Sequence, residues 1–444
     1  MCSGTTAREN QRVLIFRRLL VNALIATVTG SFLWFAVTFW AYLETRSVVV
    51  TSVISGAYGI AGAAFGLLFG TFVDRHRKHW AMTIAASITA VCYLAAAIVY
   101  LVVDRDDLLR LRNPWIWIVI VLIMVGTVAG NLRGIALSTC VTLLVPSDRR
   151  DRANGMVGIV NGIGFAITSV FSGLVVGRLG MGWAIGISVI LTIVSLLHLF
   201  TIAFDEPEPD APTDDQAPRI DVRGALDAIH VVPGLLALIA FAGFNNLLGG
   251  VYMALLDAYG LSLTSVEAWG LLWGVISLGF IAGGFFVARF GLGRRPMRIL
   301  LLGNLASWTV ASVFSLRSSI LAAGIGMTVW LALMPVIEAA EQTVLQRAVP
   351  FEKQGRVFGF AQTIESAASP LVAFLIGPIA ERGAMPFMTT GLGADWIGDW
   401  FGRGPERGLA FCFTVAGIIG LIVTAFARSS QSYRLLDRNS AATP

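Results

Sequence analysis

Three carboxylates lie inside long apolar runs of this chain. Glu338 and Glu341 are spaced three apart, and Glu365 follows in the next run. Positions i and i+3 share a helix face, so Glu338 and Glu341 are neighbours. Two carboxyl groups so close in a medium of low dielectric cannot both hold a charge, which makes the pair a candidate proton site. Glu341 has a simpler reading as an interfacial acid paired with Arg347, and the sequence favours it. Glu365 falls about 12 Å along its helix from the inner end and is the deepest acid, a first candidate for taking up and releasing a proton. Its structural alternative is a neutral carboxyl bonded between helices.

One cation matches them. Arg133 stands about 27 Å into a run that starts near Trp115, almost the depth of Glu338 in its own run. It would hold an anionic ligand or a carboxylate such as Glu338, or else snorkel to the headgroups. Asn245 and Asn246 are adjacent amides that bind a ligand or bond across helices. No nucleotide-binding loop, His/Cys metal cluster or catalytic constellation accompanies these groups, and Cys2, Cys92, Cys140 and Cys412 are scattered. No cofactor, metal or enzymatic activity is expected.

The elements that position these groups are membrane helices. Of 444 residues, 56% are hydrophobic and 13% charged, against about a quarter charged in soluble domains; mean hydropathy is +0.77. Twelve apolar runs between 19 and 427 have about the length a bilayer demands, although the ninth, 299 to 315, is short. In lipid such runs must be helices, because an open backbone finds no partner there. The first run, 19 to 43, is longer than a cleaved signal's apolar core and is expected to be retained. Its aromatics, Phe32, Trp34, Phe35, Phe39 and Trp40, are expected to form an interfacial belt, the alternative being the wall of a cavity for flat ligands.

Six runs precede and six follow an acidic, proline-rich stretch at 205 to 218, DEPEPDAPTDDQAP, which reads as a flexible linker. A short amphipathic helix over 219 to 230 should follow it on the inner membrane surface. The expected division is therefore a tail at 1–18, a six-helix bundle at 19–204, a linker at 205–233, a second six-helix bundle at 234–428 and a tail at 429–444. With both termini inside, the inner segments hold 22 Lys and Arg and the outer loops nine. That asymmetry orients the chain and accounts for a pI of 9.3 without nucleic acid.

The halves also echo one another. Val145-Pro146 and Val349-Pro350 coincide at an offset of 204, which brings Arg152 onto Arg356 and Gly155 onto Gly359. Elsewhere Gly70-Thr-Phe-Val-Asp74-Arg75 matches Gly284-Phe-Phe-Val-Ala288-Arg289, with the acid lost. Two parallel repeats explain the shared order.

The segment Gly70 to Lys78, with Asp74, Arg75 and the Arg77-Lys78 pair, resembles the loop between helices 2 and 3 of the major facilitator superfamily. The glycine usual before the final basic pair is missing. In the fifth run Gly155, Gly164 and Gly173 fit the antiporter motif of that superfamily, while Thr168, Ser169 and Ser172 replace its other members. The stretches Arg152-Ala-Asn154 and Gly355-Arg356-Val-Phe-Gly359 look most like the branch of bacterial drug and siderophore exporters. The resemblance covers essentially the whole chain. It implies an all-α integral membrane fold of twelve transmembrane helices in two six-helix bundles, alternating access, and efflux driven by the proton gradient. It also implies an inner gate in which Asp74 meets a helix end and the basic residues hold the cytoplasmic face.

The expectation is a monomeric multi-pass protein of the bacterial inner membrane that exports amphipathic small molecules in exchange for protons, a multidrug efflux and antibiotic-resistance function. The alternatives are a dedicated exporter of one acidic natural product or siderophore, with Arg133 as ligand site, and a receptor that does not transport.

Overall fold

The computed structural model describes residues 3–442 except 46–47, 105–106, 109–112, 205, 207–221 and 265. Most of the linker at 205–218 therefore lies outside the described residues. The described chain is helical, with no strand. Its elements are α1 (Ser3–Thr45), α2 (Val48–Arg75), α3 (Lys78–Val102), α4 (Pro114–Leu144), α5 (Arg150–Leu179), α6 (Met181–Phe200), α7 (Val222–Val231), α8 (Leu235–Leu263), α9 (Val266–Phe290), α10 (Pro296–Val313), α11 (Ile320–Ala348), α12 (Gln354–Ile379), α13 (Met385–Thr389), α14 (Leu392–Phe401), α15 (Pro405–Ser429) and α16 (Gln431–Ala442).

Twelve of these are long: α1 to α6, α8 to α12 and α15. Among the described residues, ten are long and apolar enough to cross a membrane. The two others are α10, with only 18 residues, and α12, whose first half carries Arg356, Gln362 and Glu365. Proline opens α4, α10 and α15 at the first turn, where its missing N–H costs nothing. Gly180, at φ 88°, turns α5 into α6, and Gly234, at φ 89°, leads into α8; both conformations favour glycine.

The helices pack as two units. The first comprises Met1–Ala153, Val160–Ala228 and Val349–Thr363. Here α3 lies on α4 and α6, and α1 on α4 and α6. Phe32, Leu33, Trp40, Tyr93, Ile116, Ile123 and Met181 share its core. Phe32 and Trp40 are only 4% and 3% exposed, and Trp34 packs on Tyr58 at 4.4 Å. The α1 aromatics that the sequence put in an interfacial belt thus face inward at these positions, because they lie on the side of α1 that meets its neighbours.

The second unit comprises Asn154–Ile159, Ile229–Ala348 and Ile364–Pro444. In it α11 packs on α9 and α10, and α15 on α8 and α10. Its core is aromatic: the Tyr252 ring stacks on Phe413 at 5.1 Å and on Trp330 at 5.7 Å, and its hydroxyl donates to the Phe413 carbonyl at 2.7 Å. Leu101, Val102, Ile190, Phe285, Ile422 and Phe426 are exposed on the helix surfaces, as befits residues that meet lipid. In that solvent association depends on close packing rather than on hydrophobic burial, so small residues mark the seams.

Candidate functional site

The first group of interest is built where α2 ends. The glycines of α2 let the first turns of α12 lie against it. A methyl at Gly70 would strike the Gly355 carbonyl, and one at Gly66 would come within 2.9 Å of the Gly359 carbonyl. This approach brings Asp74, 7% exposed, to the N-terminus of α12. Asp74 Oδ1 accepts from the Gly355 N–H at 2.6 Å, and Oδ2 accepts from the Arg356 N–H and from Arg356 Nε, each at 2.9 Å. The carboxylate is thus held by two amides at the positive end of a helix and by a guanidinium.

Beside it, Lys78 is buried; its ammonium donates to the His76 carbonyl at 3.3 Å and lies 5.1 Å from the Phe351 ring centroid. Arg75 is half-buried and Arg77 exposed. Glu206, from the acidic stretch, caps α3: one carboxylate oxygen accepts from the Lys78 N–H and the other from the His79 N–H at 2.7 Å. Sequence reasoning missed Glu206, since nothing separates it from its acidic neighbours except distance along the chain from α6.

The second group lies on α11 and α12. Glu341 and Glu365 are near neighbours, close enough to feel each other's charge, and Glu338 acts on both electrostatically. Glu341 was expected to pair with Arg347; the charged group that acts on it first is the carboxyl of Glu365. Among the described residues, Glu341 Oε1 is buried without a hydrogen-bond partner. Glu338 is exposed, while Glu341 and Glu365 are half-buried. Tyr433, on α16, donates to the Ala237 carbonyl at 3.0 Å; burial, and next the charge of Glu341, push its phenol above its ordinary range.

Arg133 is directed into the first unit. Its Nη1 donates to Ser195 Oγ and its Nη2 to the Asn22 carbonyl, both at 3.2 Å. Within the first unit its partners are neutral groups of α1 and α6, and among the described residues of that unit it reaches no carboxylate. Asn245 donates to the Phe241 carbonyl at 2.8 Å and accepts from Trp308 Nε1 at 2.7 Å. Asn246 donates to the Ala242 carbonyl at 3.1 Å and is exposed. Asn245 thus fastens α8 to α10, whereas Asn246 bonds within its own helix.

These features, polytopic helices with charges buried inside their bundles, define a membrane transporter. The family model of the Major Facilitator Superfamily matches residues 19–373, and the chain belongs to that superfamily. Among curated proteins it resembles the enterobactin exporter EntS of Shigella flexneri, at 22% identity over 392 residues, covering 84% of this chain and 88% of that one. Among solved structures, a bacterial homologue of the iron transporter ferroportin in its outward-facing state superposes with a TM-score of 0.69 at 14% identity, covering 94% of this chain and 100% of that one. The human organic anion transporter MFSD10 gives 0.67 at 13%, covering 96% and 98%. At such identities the solved structures speak for the fold alone.

Proposed function

We propose that this chain is a secondary active transporter that exports amphipathic small molecules, drug-like compounds or natural products, in exchange for protons. The observation that supports the reading is the cluster of three carboxyls on α11 and α12, Glu338, Glu341 and Glu365, near enough to influence one another. Neither Glu341 nor Glu365 meets a basic side chain among the described residues, so ionisation of both would leave two negative charges together. A change in water access can therefore drive protonation and release there.

Asp74 serves as a latch on α12 that must open in each cycle, with Arg75, Arg77 and Lys78 as the basic rim. The distribution of Lys and Arg supports cytoplasmic termini in a bacterial inner membrane, and the protein works as a monomer. The named role of the EntS relatives favours a second reading within the same class, a dedicated siderophore exporter.

Proton movement in inside-out vesicles tests both readings, with lipophilic cations, neutral antibiotics, organic acids and enterobactin as probes. The expected result is proton release from the lumen that requires protein and one probe class, and that disappears in Glu365→Gln. Response to enterobactin alone selects the dedicated exporter. Transport without proton movement removes the exchange mechanism, and ligand binding without flux removes transport itself.

A further inference from the structure

Arg133 borders a partly open cavity of about 50 Å³ between α1, α3, α4 and α6 of the first unit. Its walls include Thr29, Thr89, Tyr93, Thr127, Thr192 and Ser195. We infer that this cavity is a binding site for a small inorganic anion, chloride in the cell, seated on the Arg133 guanidinium and the Ser195 hydroxyl.

The inventory of donors supports the assignment. A guanidinium carries five N–H donors, and only two bonds hold them here, to Ser195 Oγ and the Asn22 carbonyl. Arg133 is 8% exposed, and no carboxylate among the described residues neutralises it. Ser195 Oγ accepts from Arg133 at 3.2 Å and from Asn22 Nδ2 at 3.4 Å, so the Ser195 hydroxyl hydrogen is left to donate. Asn22 is itself locked: its Nδ2 also donates to the Ser195 carbonyl at 2.7 Å and lies 3.3 Å from His198 Nδ1. The hydroxyls of Thr29, Thr89, Thr127 and Thr192 are spent on backbone carbonyls at 2.6 to 2.9 Å. The unspent donors at the cavity thus belong to Arg133 and Ser195. A buried cation that has fixed neutral partners and unspent donors beside empty space calls for a counter-ion.

Size sets the class of ligand. Drug-sized molecules occupy clefts of about 300 to 1,000 Å³, whereas a single water needs roughly 10 to 15 Å³ of this kind of volume. The cavity therefore accommodates a monoatomic anion with one or two waters, and a siderophore is excluded. Gly30 and Gly130 line it with no atom within 4 Å of an added methyl, so the space can be filled by substitution without displacing backbone. The inference is independent of which solute is exported.

The test uses the purified full-length protein in detergent, with chloride exchanged for gluconate at constant ionic strength. A ligand that binds only the folded state raises the melting temperature with its concentration and saturates. The expected result is such a chloride response, with ³⁵Cl line broadening in the wild type, a tenfold or greater loss of apparent affinity in Ser195→Ala and no response in Gly130→Val or Arg133→Gln. Crystals grown in bromide should show an anomalous peak within hydrogen-bond reach of the guanidinium. Identical melting in the two salts without line broadening in the wild type would mean that the cavity holds water alone, and the proposal would fall. A wild-type chloride response in Gly130→Val would place the anion elsewhere and overturn it equally. The line broadening is read on the wild type, so the test survives if Arg133→Gln does not fold.

Discussion

Asp74 spends its two oxygens on three donors, and the geometry ranks the substitutions around it. In Asp74→Asn one carboxylate oxygen becomes an NH₂ group that must face the N–H of Gly355 or the two donors of Arg356, replacing attraction with donor-to-donor repulsion. Breaking a buried charge pair from one side costs on the order of 3 kcal/mol. Arg356→Lys keeps both backbone bonds to Asp74 and loses only the side-chain contact, so its melting temperature should fall less than half as far. If the two variants melt alike, the helix terminus contributes little and the guanidinium carries the contact. Glu206 gives a second residue-level prediction. Its carboxylate satisfies the first two N–H groups of α3, and loss of a capping side chain costs about 1 kcal/mol. Glu206→Ala should therefore accelerate amide exchange at Lys78 and His79, while exchange in the middle of α3 stays unchanged. Asp74 was legible in the sequence because four neighbouring residues share its motif. Glu206 was not, because a carboxylate 127 or 128 residues from the amides it caps leaves no local pattern.

The elements repeat that lesson at larger size. The twelve long helices were legible from apolar length, and the shortness of the ninth run reappears as the 18-residue α10. Which face of each helix meets another was not legible, since apolar residues line both the lipid side and the core side: α1 is the example, with Trp40 buried and Val21 exposed. Glycine seams resolve it. The sequence echo between Gly70 and Gly284, and between Gly359 and Gly155, has a structural counterpart in two similar junctions. In the first unit Gly66 and Gly70 meet the start of α12; in the second, Gly284 and Ala288 meet residues 155–159 of α5. The second junction has Ala288 where the first has Asp74, and Asn154 there donates to Thr343 and Gln346, each at 2.9 Å. One junction therefore carries a charge latch and the other a neutral amide clasp. Gly70→Ala should cost about 1 to 3 kcal/mol by overpacking, because the obstacle is a backbone carbonyl that cannot rotate away. Gly173→Ala, with no atom within 4 Å of the added methyl, should melt like the wild type although both glycines sit in family motifs. Equal losses for the two would show that helix flexibility, and not close approach, sets the role of Gly70.

At the scale of the whole molecule, a proton exchanger must let its carboxyls change charge once per cycle, and the three acids here are placed unequally for that task. Glu341 and Glu365 are half-buried and act on one another, whereas Glu338 acts on them through space and is itself exposed. Their depth in the apolar runs was visible in the sequence, but the nearness of Glu341 to Glu365 was not, because residues 24 apart on two different helices leave no local pattern. Glu338→Gln removes a nearby charge and leaves Glu341 and Glu365 in place, so substrate-driven proton release should persist at a changed rate. Glu341→Gln behaves differently: an amide N–H can donate permanently to Glu365, which holds that carboxyl ionised and abolishes the cycle. Flux of protons per substrate, measured in inside-out vesicles across a fixed pH gradient, separates the cases. Wild type and Glu338→Gln should give the same ratio, while Glu341→Gln and Glu365→Gln should bind substrate, shown by equilibrium binding, yet move no protons with it. An unchanged ratio in the Glu341→Gln, Glu365→Gln double variant would move the coupling site out of this pair and leave the three carboxyls with a structural role.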